Sequence, residues 1–209
     1  MTKAMIKPAY LLLAGGQSRR MGGGDKNLML LGGQPILTHV LARVTYEFDS
    51  EDVAVPPMML NANGDPSRYA AYDLPIVRDV IDGYAGPLAG ILTGLEWMRD
   101  NHPECTHLIS FATDAPFIPV DLSRRLMAAV VSGVEMAQAA SKGRRHPVFA
   151  IWPIELASKL RQAVITDGIR KIDDFTTLFN CAIVDFDNSP DPFMNINRPE
   201  DFDEAAKRL

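Results

Sequence analysis

A five-residue apolar run, Ala9–Leu13, stops abruptly at Gly15 and Gly16. It has no polar alternation, so both of its faces must be buried. That is the pattern of a central parallel strand covered by helices on two sides. The rest of the first half fits the same plan. Pro35–Val44 carries Ile36, Val40 and Val44 at helical spacing, with Leu37 and Leu41 alongside. Met58–Asn61 reads as a strand, Asp65–Tyr72 as a short helix and Leu74–Asp79 as a short strand. A helix starts near Pro87, with Leu88, Ile91, Leu92, Leu95 and Met98 on one side. Thr106–Asp114 is a strand that runs into Asp114, and Pro119–Val131 is the helix after it. Such alternation predicts an α/β fold in three α/β/α layers, with a mostly parallel central sheet and ligands at the C-terminal ends of its strands.

The second half is less regular. Val134–Ala140 and His146–Trp152 read as two strands, an antiparallel addition. Ile154–Val164 and Gly168–Phe179 read as helices, and Cys181–Phe186 as a strand. A turn at Asn188–Pro192, an extended Phe193–Asn197 and a terminal helix over Arg198–Leu209 complete the chain. With 209 residues and 47% hydrophobic content, residues 1–209 are expected to form a single domain.

Composition narrows the function. The net charge of -5 argues against a protein that holds nucleic acid along an extended surface. Cationic chemistry must be local, as in Arg19, Arg20 and Lys26. Cys105 and Cys181 are far apart and form no CxxC pair, which predicts ordinary thiols in a reducing compartment. The N-terminal apolar run of about six residues is shorter than a signal-peptide core of roughly 7–15. No segment approaches the roughly 20 apolar residues needed to cross a bilayer. No membrane partner and a cytoplasmic location are therefore expected.

The loop after the first strand, GGQSRRMGGGDKN, carries glycines beside cations. A Walker loop fails, because Lys26 stands between Asp25 and Asn27 rather than in G-K-[ST]. No register fits G-x-G-x-x-G. There remain a flexible surface loop and a loop that wraps a nucleoside triphosphate with backbone N–H groups and cations. Its place after the first strand and its three cations favour the second.

The stretch LAGGQSRRMGGGDKNLMLLGGQPIL resembles the long signature of nucleotidyltransferases with the Rossmann-like nucleotide-diphospho-sugar transferase (GT-A-like) fold. Within that superfamily it is most similar to the molybdenum cofactor guanylyltransferases. The similarity continues in LNAN, IVRDVIDGYAGPLAGIL, FATDAPFIP, RRHPVFAIW and FMNINRPEDF, in the family's order over nearly the whole chain. It implies transfer of GMP from GTP to molybdenum-bearing molybdopterin with release of pyrophosphate. The N-terminal half would take GTP and the C-terminal half the pterin. Molybdenum-insertion proteins or client molybdoenzymes are the implied protein partners.

The resemblance also assigns residues. Asp114 would ligate Mg²⁺; a helix N-cap or turn before Pro116 is the alternative. Arg20 and Lys26 would neutralise the β- and γ-phosphates, while Arg19 is equally a solvated arginine. Leu13, Ala14 and Gly15 would present backbone groups to the nucleotide, with Gly15 and Gly16 permitting close approach. Asn61 and Asp79 would meet the nucleotide, Asp79 at base or ribose. Gly86, Pro87 and Gly90 would form a tight helix entry beside it. Asn195 and Asn197 alternate, so they share a face, on the pterin side or near the metal. Arg144, Arg145 and His146 would meet the pterin's phosphate or form a surface turn. The runner-up is a cytidylyltransferase acting on the same pterin, which carries L-A-A-G where this chain has LAGG. Other small-phosphate nucleotidyltransferases and a non-catalytic relative stand further off.

Overall fold

The computed structural model describes residues 5–14, 25–48, 54–81, 83 and 86–209. Nine strands and six α-helices follow one another among them: β1 (Pro8–Leu13), β2 (Leu30–Leu31), β3 (Gln34–Pro35), α1 (Ile36–Thr45), β4 (Met58–Asn61), β5 (Ile76–Val77), α2 (Pro87–Asn101), β6 (His107–Ala112), α3 (Leu122–Val131), β7 (Met136–Ser141), β8 (Arg144–Pro153), α4 (Ala157–Ile165), α5 (Ile172–Thr176), β9 (Cys181–Asp185) and α6 (Pro199–Ala206). Seven strands make one sheet in the order β5-β4-β1-β6-β8-β7-β9. Only β8 runs against the others, antiparallel to both β6 and β7. The expected mostly parallel sheet with an antiparallel addition is what forms.

Strand β1 shows why its sequence is apolar throughout. Tyr10 and Leu12 point into one core, and Ala9 and Leu11 into the other. Helices α1, α3 and α6 cover the first face; α2, α4 and α5 cover the second. The second face admits helix α2 at close range because Gly90 and Gly94 lie against the sheet. A Cβ on Gly94 would fall 2.7 Å from Leu11 Cδ2 and 2.9 Å from Leu108 Cδ2. Trp152 is fully buried there and donates its indole N–H to Ser110 Oγ at 2.9 Å.

Several elements differ from the reading of the sequence. The helix expected over Gly168–Phe179 is only α5, five residues long. Thr176 and Thr177 turn their hydroxyls back to the carbonyls of Asp173 and Asp174, and the chain closes in tight turns through Leu178 and Phe179. The short helix at Asp65–Tyr72 is a 3₁₀ helix, Pro66–Tyr72, whose cap Asp65 accepts from the Ser67 N–H. Gly32 and Gly33, at φ 58° and 86°, turn a small β2–β3 hairpin ahead of α1. The terminal helix expected over Arg198–Leu209 is shorter, α6 ending at Ala206. Cys105 and Cys181 are free thiols, and burial pushes Cys181 up to about 11. No helix among the described residues is long and apolar enough to cross a membrane.

Candidate active site

From β1 the chain moves outward to β4 and β5, then returns to β6 on the other side of β1. A crevice therefore opens beyond the C-terminal ends of β1 and β6, the place where such sheets bind ligands. Register aligns its floor: Leu13 is level with Asn61 on one side and with Ala112 on the other. The Leu13 carbonyl accepts from the Thr113 hydroxyl at 3.0 Å, and the Ala14 N–H donates to the Asn61 carbonyl at 2.9 Å. Those two backbone groups thus serve the sheet. Gly15, Gly16, Arg19, Arg20 and Gly22–Gly24 lie outside the described residues.

Three segments far apart in sequence meet at one point above this floor. Lys26 opens a 3₁₀ turn after the glycine-rich loop, Asp114 stands two residues past β6, and Asn197 precedes α6. The Lys26 ammonium donates to Asp114 Oδ2 at 2.5 Å and to Asn197 Oδ1 at 2.7 Å. The backbone holds both acceptors in place. Ile196 N–H donates to the Asp114 carbonyl at 2.9 Å, and Asp201 Oδ2 accepts from the N–H groups of Asn197 and Arg198. Of the alternatives for Asp114, the helix cap does not form, because the residue that caps α3 is Asp121, whereas Asp114 does stand in the turn after β6. The Lys26 and Asp114 side chains are 19% and 21% exposed, so the pair is shielded yet open to a ligand.

A second cluster lies on the β4–β5 side. Asn61 Nδ2 donates to Asp79 Oδ1 at 2.9 Å and to the Val77 carbonyl at 3.1 Å. Asn63 Nδ2 donates to Asp79 Oδ2 at 2.8 Å, and the Asp79 N–H returns to Asn63 Oδ1 at 3.1 Å. Arg68 links this cluster to the segment that carries Lys26. Its Nη2 reaches the Asn63 carbonyl at 2.6 Å, and its Nη1 pairs with Asp25, the neighbour of Lys26. Gly86 caps α2, with Pro87 in its first turn. A Cβ on Gly90 would fall 2.4 Å from Asn61 Oδ1 and 2.5 Å from Leu13 Cδ2, so only glycine lets the helix approach here.

Asn197 also belongs to a cleft of about 370 Å³ lined by Lys142, Arg144, His146, Asp191, Asn195, Glu204 and Arg208, among others. Asn195 and Asn197 both face it, with buried Ile196 between them, as their alternation requires. Arg145 falls outside this lining and is separated from Arg144 and His146 by the strand's alternation. The His146 ring stacks on Phe193 at 4.4 Å, and its Nε2 lies 2.8 Å from Ser141 Oγ. Ser141 in turn donates to Asp191 Oδ1 at 2.9 Å. Burial lowers the pKa of His146, against the pull of Asp191 and with a smaller push from Arg144. Arg208 braces the segment within the lining, donating to the Asp191 carbonyl at 3.0 Å while lying over the Phe117 ring.

Sequence reasoning did not single out Asn63, Arg68, Ser141 or Asp191. For Asn63 a signal was present: LNAN has the same N-x-N alternation that marks NIN. The others are ordinary polar residues whose partners only the fold supplies. Among the described residues no three His, Cys, Asp or Glu converge as a self-sufficient metal cage. Asp114 and Asn197 do present two hard oxygens to one cation, here the Lys26 ammonium.

A model of the MobA-like NTP transferase domain matches residues 10–178. The chain is 46% identical to a molybdenum cofactor guanylyltransferase of Bradyrhizobium sp. (strain ORS 278), over 94% of this chain and 91% of that protein. Its fold is similar to the crystal structure of molybdopterin-guanine dinucleotide biosynthesis protein A from Archaeoglobus fulgidus, with TM-score 0.74, 21% identity, and 96% and 97% of the two chains covered. A Mycobacterium tuberculosis H37Rv protein crystallised in complex with manganese also shares the fold, with TM-score 0.66, 14% identity, and 97% and 100% covered.

Proposed function

Since the chain belongs to the MobA-like NTP transferase domain family, we propose that it transfers GMP from GTP to molybdenum-bearing molybdopterin and releases pyrophosphate. The observation that carries this reading is the meeting of Lys26, Asp114 and Asn197, with the Asn61–Asp79 polar cluster on the same sheet edge and the cleft that Asn197 also lines. One side, with Asn61 and Asp79, suits a nucleoside. The other, with Lys142, Arg144, Arg208 and Asn195, suits an anionic acceptor. The N-terminal half is thus assigned to GTP and the C-terminal half to the pterin, within one domain of the cytoplasm. Molybdenum-insertion proteins or client molybdoenzymes remain the protein partners assigned.

The acceptor phosphate is already an anion when it attacks the α-phosphorus of GTP, so the protein supplies no general base. Its task is alignment and charge neutralisation. Lys26 is a point charge on a flexible stem, able to move from Asp114 to the phosphates of GTP. Arg20 is assigned to the same phosphates. Asn197, fixed through Asp201 and Ile196, holds the boundary between the two substrates. Asp114 fits the ligand expected for Mg²⁺, one carboxylate completed by phosphate oxygens and water. When bound, the metal would neutralise charge on the triphosphate. The Asp79 carboxylate can accept from guanine N1–H and N2–H₂, which assigns it to the base.

The test is pyrophosphate release by the purified protein with Mg²⁺ and molybdenum-bearing molybdopterin. GTP should support it and CTP should be much slower. Equal rates would remove the guanine assignment in favour of the cytidylyltransferase reading.

A further inference from the structure

The contacts of Asp79 lead past its own role to the residue that aims it. Asn63 is exposed on the loop after β4 and is not part of either hydrophobic core. Yet it commits both ends of its amide to one residue. Its NH₂ donates to Asp79 Oδ2 at 2.8 Å, and its oxygen accepts from the Asp79 backbone N–H at 3.1 Å. This reciprocal pair fixes the carboxylate against rotation about its side-chain bonds. Asn61 holds only the other oxygen. Each carboxylate oxygen keeps a further lone pair for a ligand donor.

Asn63 is itself fixed. Arg68 grips its carbonyl at 2.6 Å and the Asp65 carbonyl at 2.8 Å. Gly64, at φ 90°, turns the chain directly afterwards, and its carbonyl accepts from Arg78, the neighbour of Asp79, at 2.8 Å. An exposed carboxylate without such support would sample several rotamers and lose directional selectivity.

We infer that Asn63 is a positioning residue for base selection: it holds the Asp79 carboxylate in the orientation that reads the 2-amino edge of guanine. The inference rests on the assignment of Asp79 to the base. It predicts that loss of Asn63 lowers discrimination between nucleotides that differ only at that edge, whereas a merely structural role would weaken both alike.

The experiment is equilibrium titration of the full-length protein, with Mg²⁺, by GTP and by ITP, which lacks the 2-amino group. A charge-assisted hydrogen bond to that group gives the native protein a preference for GTP of about tenfold or more. Asp79→Asn should reduce the preference to under about threefold, and Asn63→Ala should reduce it about as far. Asn63→Asp keeps the shape and the oxygen acceptor but replaces the donor by a repelling carboxylate, so it should lose as much with folding intact. If Asp79→Asn loses the preference while both Asn63 variants keep it, the positioning role is overturned and the base assignment stands. If Asp79→Asn keeps the preference, the base assignment itself fails and the inference with it.

Discussion

At Asp114 a carboxylate displayed beyond an apolar strand is held by an ammonium and backed by an ordered backbone. Asp114→Ala should lower turnover at least about a hundredfold, the scale of losing a preorganised charge contact. The thermal midpoint should barely move, because the side chain lies at the crevice rather than in either core. Normal activity would remove Asp114 from the metal role. Lys26→Ala should raise KM for GTP and lower kcat together, and an unchanged rate would contradict the phosphate assignment. These residues were legible in the sequence mainly through the resemblance, which runs over Lys26 after the glycines, Asp114 at the end of a strand and the two alternating asparagines. Ser141, Asp191 and Arg68 were not legible. A serine or arginine on a polar stretch has many available partners, and only the β7–β8 hairpin and the 3₁₀ helix choose them.

Helix α2 shows what element-scale constraints add. Alanine is the better helix former by about 1 kcal/mol. Even so, Gly90→Ala should destabilise the protein by about 1–3 kcal/mol, because its Cβ would meet Asn61 and Leu13. It should weaken GTP binding as well, since Asn61 must shift. A more stable variant with native affinity would show that the helix simply moves aside. On the outer side, Arg161 on α4 grips Glu96 on α2 through two bonds of 2.6 Å. Glu96 is largely covered while Arg161 is 40% exposed, which places the pair between surface and buried cases. Arg161→Ala should therefore cost about 1–2 kcal/mol in denaturant unfolding, with turnover unchanged. Helical stripes and buried strands were legible because their periodicity is the packing itself. Helix α5 was misjudged in length because Asp173, Asp174, Thr176 and Thr177 are compatible with either a helix or a turn. Their hydroxyl bonds back to the chain decided it.

For the whole molecule, strand order explains why residues from positions 26, 114 and 197 share one site. The chain reverses its direction of travel between β1 and β6, which makes the C-terminal ends of these strands the switch point where such sheets bind ligands. No short motif encodes that reversal; the alternation of strands and helices implies a sheet but not its order. Stability carries its own signature. Burial lowers the pKa of both His107 and His146, with Glu155 and Asp191 pulling the other way. The unfolded chain therefore binds more protons near pH 6, and stability should fall as pH drops below about 6.5. Thermal midpoints between pH 7.5 and about 5.5 would check this, and a flat profile would contradict it. The central claim is that the site around Lys26, Asp114 and Asn197 joins a guanylate to a pterin phosphate. The most direct measurement follows isotope from GTP labelled at the α- or the γ-phosphate, with Mg²⁺ and molybdenum-bearing molybdopterin. Label from the α-position should enter the pterin product, and label from the γ-position should leave in pyrophosphate. Release of the α-label as free GMP, or of the γ-label as orthophosphate, would contradict the account.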